Sequence, residues 1–378
     1  MNSLLHRTDV LSGILYGFIV ALSGGLCVLM PRLSRPDLFF AITVQPDFRK
    51  SRDGREIMRQ YSVWVLVSLV LGTFVGMAGI FGGFSSSSQV LLFIMATGVQ
   101  VAGLFAALMT ARSRARLHQA VPETRREADL RPRPTKPPGG WLAQLAPMLI
   151  LVAAGLFLGL RWDDVPARFP VHWGIDGHPN GWATRSFMGV YGLLLVGLCT
   201  CLLLVLVGAS MWRGARRIRA SGVPAWQEST FLRLTIWILL GIEYWMAFTF
   251  AYMSLLPLTI NQSGGGLPLW PVLGLEALVI ATIFFVLIRS GQGGWRLAAP
   301  GAKTGTSVTI APTGDRTPDA CWKGGLIYYN PEDPALWVEK RLGLGWTLNF
   351  GNPSAWLVIG GIFVFVAAVL VISFLGSK

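Results

Sequence analysis

The chain has 378 residues, of which 53% are hydrophobic and only 13% charged. A soluble domain carries about 25% charged residues, so this deficit excludes an ordinary water-soluble fold and makes the bilayer the solvent to reason with. The formal charge of +13 would suggest a nucleic-acid partner in a soluble protein, but the basic residues lie between apolar runs, where they act as topology signals, and no direct nucleic-acid contact is expected.

A helix of about 20 apolar residues crosses the hydrocarbon core. Eight stretches qualify: Val10 to Met30, Tyr61 to Gly83, Gln89 to Thr110, Trp141 to Leu160, Met188 to Met211, Phe231 to Leu256, Pro268 to Ile288 and Ser354 to Leu375. The first is too long for a signal peptide and lacks a small-residue cleavage pattern, so it is read as a span. Lys and Arg then test the count. The segments after spans one, three, five and seven hold 26 of them, and the other side holds five, with Arg233 at the edge of span six. Positive segments stay in the cytoplasm, which places both termini outside the cell. The expected fold is an all-α polytopic membrane protein of about eight transmembrane helices, with a small cytoplasmic β-meander before the last helix.

The chain divides accordingly. Residues 1–110 form a three-helix membrane region, and 111–140 an Arg- and Pro-rich cytoplasmic linker. Residues 141–211 are a membrane domain whose outer loop covers 161–187. Residues 212–290 hold helices six and seven, and 291–319 are Gly-, Thr- and Pro-rich and read as a flexible linker. A small β module follows at 320–353, and 354–378 is the last helix.

The outer loop is unlike a random connector. Phe169 to Trp173 alternates as a short strand does, and Asn180-Gly181 is a turn dipeptide, because both residues tolerate positive φ. His172, Asp176 and His178 are zinc-binding types, but Gly174, Gly177 and Pro179 oppose the helix that would bring them together, so no metal is expected. Rigid aromatic residues on such a loop make a recognition surface the stronger reading.

Pro166, Pro170, His172, Trp173, Gly177, Pro179, Asn180, Gly181 and Trp182 together resemble the signature loop of the SdpI family of bacterial membrane proteins. Two positions depart from the usual pattern: Gly174 stands for the common Asn, and Asn180 for the common Asp. The resemblance is local, from about span four through span five. It implies a protein of the bacterial inner membrane that confers immunity to a toxic peptide or responds to an envelope signal. Its expected partners are the bilayer, an extracellular toxic peptide and a cytoplasmic regulator.

Before the last span, Leu326 to Tyr329, Leu336 to Glu339 and Trp346 to Phe350 have strand composition, separated by the turn sequences Asn330 to Pro334 and Gly343 to Gly345. The expected product is a three-strand meander too small to stand alone. Trp322, Tyr329, Asn330, Pro331, Asp333, Pro334, Gly345, Trp346 and Asn349 resemble the pattern of a small domain of unknown function, with Trp337 in place of the usual Phe and Glu339 in place of Pro. Glu332 and Asp333 are read as turn caps ahead of cation ligands.

Within the spans, Glu243 and Glu276 are the ionisable groups, with Gln100 and Tyr244 as candidate hydrogen-bond partners. Such groups face a cavity or another helix. They support an alternative function, proton-linked transport or export, or they join helices as polar contacts. No Ser/His/Asp set, His-Glu-x-x-His run or intramembrane Asp pair is present in the sequence, so neither enzyme activity nor a cofactor is expected.

Overall fold

The structure is a computed structural model and describes residues 2–121, 126–128, 134–173, 179–215, 218–220, 225–259, 270–297 and 317–376. Eight long helices occupy the eight expected spans: α1 Asn2–Leu33, α2 Arg52–Phe81, α3 Ser86–Arg116, α4 Gly140–Leu160, α5 Phe187–Gly214, α6 Ala225–Leu255, α7 Trp270–Ser290 and α8 Pro353–Gly376. Among the described residues, seven of them, all but α7, are long and apolar enough to cross a membrane. Phe74 is 78% exposed and Leu357 77% exposed, which only an apolar solvent tolerates on this scale. In the most apolar stretch of α8 no residue is fully buried, so most of this helix meets lipid, while one side, with Ile372 near Gly192, lies against α5.

Three helix starts are set by serine. Ser51, Ser85 and Ser186 each accept a backbone N–H three residues on, from Gly54, Ser88 and Gly189, which satisfies a donor that the first turn leaves open. The long helices overrun the expected apolar windows at their basic ends. Ala111 to Arg116 continue α3, with Ala111, Arg112 and Ala115 buried, so the start of the expected linker is helix. Residues 122–125 and 129–133 of that linker lie outside the described residues. Between them, β3 (Arg126–Ala128) pairs antiparallel with β6 (Ile218–Ala220).

One end of the bundle is a polar hub. The chain leaving α1 makes a two-strand hairpin of β1 (Leu38–Phe39) and β2 (Ile42–Thr43). Its turn residues Phe40 and Ala41 have φ of 48° and 61°, a backbone that L-residues other than Asn and Asp seldom adopt. Both are buried, and their carbonyls accept from Arg112 Nη1 at 3.0 and 2.9 Å. Arg341 also donates to the Ala41 carbonyl, at 3.1 Å, and pairs with Asp319. Arg35 makes a buried two-point pair with Asp37 at 3.0 and 2.5 Å. Gln292, just past α7, accepts from Arg35 N at 2.9 Å and donates to the Lys340 carbonyl. Residues 291–294 are buried, so the expected flexible linker begins as a fixed corner of the hub. Residues 298–316 of that linker lie outside the described residues.

This hub gathers the ends of α1, α3 and α7, and β4 (Arg168–Trp173) and β5 (Pro179–Thr184) form a hairpin at the opposite end, between α4 and α5. The helices therefore alternate in direction as the charge pattern required.

The C-terminal module departs from the expected meander. It is two hairpins, β7 (Trp322–Lys323) with β8 (Ile327–Tyr328), and β9 (Trp337–Glu339) with β10 (Trp346–Leu348), joined by a single bridge between Tyr328 and Asn349. The Gly324-Gly325 turn, with φ of 60° and 78°, folds β8 back on β7, so its partner is the preceding strand. The module leans on the membrane helices, as its size demands. Trp337 Nε1 donates to Ser210 Oγ at 3.0 Å, Trp346 Nε1 to Thr235 Oγ1 at 3.1 Å, and Leu336 N to the Gly214 carbonyl at 2.9 Å.

Candidate functional site

The β4–β5 hairpin is fixed at its base before it presents anything. Arg185 Nη1 donates to the carbonyls of Trp162, Asp163 and Val165 at 3.4, 3.1 and 3.2 Å, closing the loop that leaves α4. Trp162 stacks on Tyr191 of α5 with ring centres 6.0 Å apart. The inward side chains Phe169, Pro170 and Ala183 are buried, while Val171, His172 and Trp182 are exposed. Arg168 lies over the Trp182 ring at 5.1 Å, a cation–π contact that limits the freedom of that indole.

The strand register explains several of the signature residues. Pro170 faces Trp182, His172 faces Gly181, and Trp173 faces Pro179, with bulges on either side of His172. Pro166 is half-buried in the approach to β4. Asn180-Gly181 is not the turn that its dipeptide suggests. Both lie on β5, and residues 174–178, Gly177 among them, lie outside the described residues. The glycine has a packing reason: a Cβ at position 181 would stand 2.8 Å from His172 Cβ. Gly181→Val is therefore expected to spread the hairpin at a cost of about 1–3 kcal/mol, read as earlier thermal unfolding in detergent, with Thr184→Val on an exposed site as the neutral control.

Beneath the hairpin, Phe169 and Ala183 belong to one apolar core with Leu151, Leu158, Cys201 and Ala251 of α4, α5 and α6. On α6, Glu243, Ala247 and Ala251 are four apart, so they share one buried face. Glu243 is 0% exposed, and among the described residues neither carboxylate oxygen has a hydrogen-bond partner. Cys201 Sγ approaches its backbone carbonyl at 3.8 Å. Ser254 Oγ, three turns further along that face, is also buried without a partner. The expected neighbours of Glu243 are not there. Gln100 Nε2 donates to Tyr16 Oη at 3.5 Å in the α1–α2–α3 group, and Tyr244 makes no hydrogen bond to the carboxylate. Glu276 is half-buried on α7, and no hydrogen bond or ion pair joins it to Glu243 among the described residues.

The C-terminal motif is a structural clamp around Asn349. This side chain is fully buried, donates to the carbonyls of Asn330, Asp333 and Ala335 at 2.8, 2.9 and 3.2 Å, and accepts from the N–H groups of Asn330 and Gly351. Asp333 accepts from Tyr328 Oη and from Ala335 N, as a turn cap does. Pro331 and Pro334 flank this turn on exposed positions, and Gly345 takes φ of 95° in the β9–β10 turn. Trp322 is buried under Arg341, and Trp346 stacks on Phe231 of α6 at 5.8 Å. Tyr329 is exposed as well.

The residues that sequence reasoning missed are Arg35, Asp37, Arg49, Arg112, Asp319 and Arg341. Along the chain they read only as loop charges, yet the hub buries most of them. Burial lowers the Arg49 guanidinium to about 10, with Arg296 adding to the shift and Asp37 opposing it, so it stays charged at neutral pH.

Residues 149–198, covering most of α4, the hairpin and the first half of α5, match a domain of unknown function, DUF1648. Residues 331–356 match a second family of unknown function, DUF5808, which covers the Asn349 clamp and the start of α8. No curated protein and no solved structure matches the chain. The chain is thus a membrane protein carrying two domains of unknown function, and neither match bears the SdpI designation.

Proposed function

We propose that this protein is an SdpI-like immunity or response protein of a bacterial inner membrane, which meets a toxic peptide or envelope signal on the β4–β5 hairpin. The observation that carries this reading is the hairpin's construction. It is stapled by Arg185 to the end of α4, shows Val171, His172 and Trp182 outward, and shares its underside with the face of α6 that holds Glu243. A contact made outside would thereby bear on packing in the middle of the bundle. By the positive-inside rule the hairpin faces out, and the hub and β module face a cytoplasmic regulator.

Expression in a sensitive bacterium, challenged with secreted antimicrobial peptides, tests the reading. Resistance is expected for the natural chain and is lost in His172→Ala and Trp182→Ala while both variants accumulate in the membrane at normal level. Undiminished resistance in both variants would remove the hairpin from consideration as the site.

Glu243 favours a second reading, proton-linked transport or export. A fully buried carboxyl without a hydrogen-bond partner is costly in a span and is a feature of proton pathways. Glu276 stands apart from it, so this reading rests on Glu243 alone.

A further inference from the structure

We propose that the lipid-facing groove between α1 and α2 holds one acyl chain of an anionic phospholipid, with the headgroup phosphate at Arg32 and Arg59. The groove has a volume of about 820 Å³, within the usual range of small-molecule sites, about 300–1,000 Å³. Its walls run from Gly17 to Leu29 on α1 and from Leu66 to Met77 on α2, and Thr73 is the one polar side chain among them. Two adjacent glycines divide the work. A Cβ at Gly24 would meet Leu69 at 2.2 Å, so this residue brings α2 close, whereas a Cβ at Gly25 has no neighbour within 4 Å and opens into the groove.

Charge complementarity at one end identifies the occupant. Arg32 follows Val28 and Leu29 by four and three residues, so it continues the groove face of α1 past the apolar stretch. Arg59 precedes Leu66 by seven residues, two turns, and continues the facing stripe of α2, with Arg52 and Arg55 on the same face beyond it. Both Arg32 and Arg59 are exposed. Among the described residues Arg32 has no carboxylate partner, while Arg59 shares its charge with Glu56 at 3.0 Å. Arg296 reaches the same helix end, donating to the Arg32 carbonyl at 3.4 Å. A neutral lipid would fill the apolar trough but leave these guanidinium groups unanswered. A phosphate about two turns from the last apolar wall lies within the reach of arginine side chains laid along the helix.

Native mass spectrometry of the purified full chain tests this with two probes of matched chains, phosphatidylglycerol and phosphatidylcholine. The natural chain is expected to retain phosphatidylglycerol in preference, and the preference to fall about five-fold for each arginine removed in Arg32→Gln and Arg59→Gln. Gly25→Phe fills the groove and is expected to lose both lipids. Val70→Trp, at an exposed position on the groove wall, serves the same purpose if Gly25→Phe does not fold. An unchanged preference in the double Gln variant overturns the headgroup assignment. Unchanged retention of both lipids with the groove plugged overturns the site. A lipid-free dimer cross-linked through Gly25→Cys would give the groove to a second copy of the chain instead.

Discussion

Arg341→Leu is expected to free the C-terminal module from the bundle and to raise the alkylation rate of Cys321 sharply. Arg341 is 2% exposed and satisfies more partners than any other hub residue: it pairs with Asp319, donates to the Ala41 and Thr317 carbonyls, donates to Thr317 Oγ1 at 3.2 Å, and lies over the Trp322 ring at 5.7 Å. The leucine would leave Asp319 largely buried, with hydrogen bonds only from Thr43 among the described residues and the Arg112 charge nearby, and breaking a buried ion pair costs about 3–5 kcal/mol. Arg112 would still hold the Phe40 and Ala41 carbonyls, so the N-terminal hairpin should persist while the module opens. Cys321 is half-buried beside the module core and reports that opening directly. Lys340→Ala, an exposed neighbour whose backbone carbonyl is kept, should react at the natural rate. If Arg341→Leu also reacts at the natural rate, the module is held by its tryptophan contacts with α5 and α6, and the hub contributes little.

Glu243→Leu is expected to raise the thermal stability of the purified protein, by about 1–3 kcal/mol, and to abolish whatever activity the bundle carries. Among the described residues both oxygens of this carboxyl are buried without partners, so each polar atom is present at a desolvation cost that an apolar side chain does not incur. Glu243→Gln separates charge chemistry from packing. It keeps the shape and the desolvated polar atoms, so stability should stay near that of the natural chain, but it can no longer exchange a proton. Loss of proton-coupled flux in vesicles with Glu243→Gln, at unchanged stability, would support transport. Loss of peptide resistance with His172→Ala alone would support recognition at the hairpin. A fall in stability with Glu243→Leu would mean that the carboxyl gains a partner in the bilayer, and it would sink the idea that this group is kept for function at a structural cost.

The hairpin motif is legible as a string of residues, but its mechanical meaning is not. Gly181 was read as half of a turn, since Asn-Gly is the strongest short-range hairpin signal. The structure places it in mid-strand, where the close approach of His172 across the hairpin is what requires glycine. The β1–β2 hairpin escaped notice for the opposite reason. Its turn residues are Phe40 and Ala41, which no turn rule selects, and they hold positive φ because Arg112 and Arg341 from distant segments grip their carbonyls. The β module was read with three strands because its composition shows three apolar runs. Which runs pair was decided by the Gly324-Gly325 turn and by Asn349, whose five hydrogen bonds close the module from the far end of its sequence.

The sequence by itself determined the number of helices, their direction and the two ends of the bundle. Those properties follow from local apolar length and from where basic residues interrupt it, and the bilayer enforces both without reference to tertiary contacts. Only the tertiary structure decided which charges are buried. Arg112 and Arg341 look like any other loop arginines along the chain, and Glu243 like any polar residue in a span. Their roles arise from segments up to 300 residues apart meeting at one place, and that separation lies beyond what any pattern in neighbouring residues encodes.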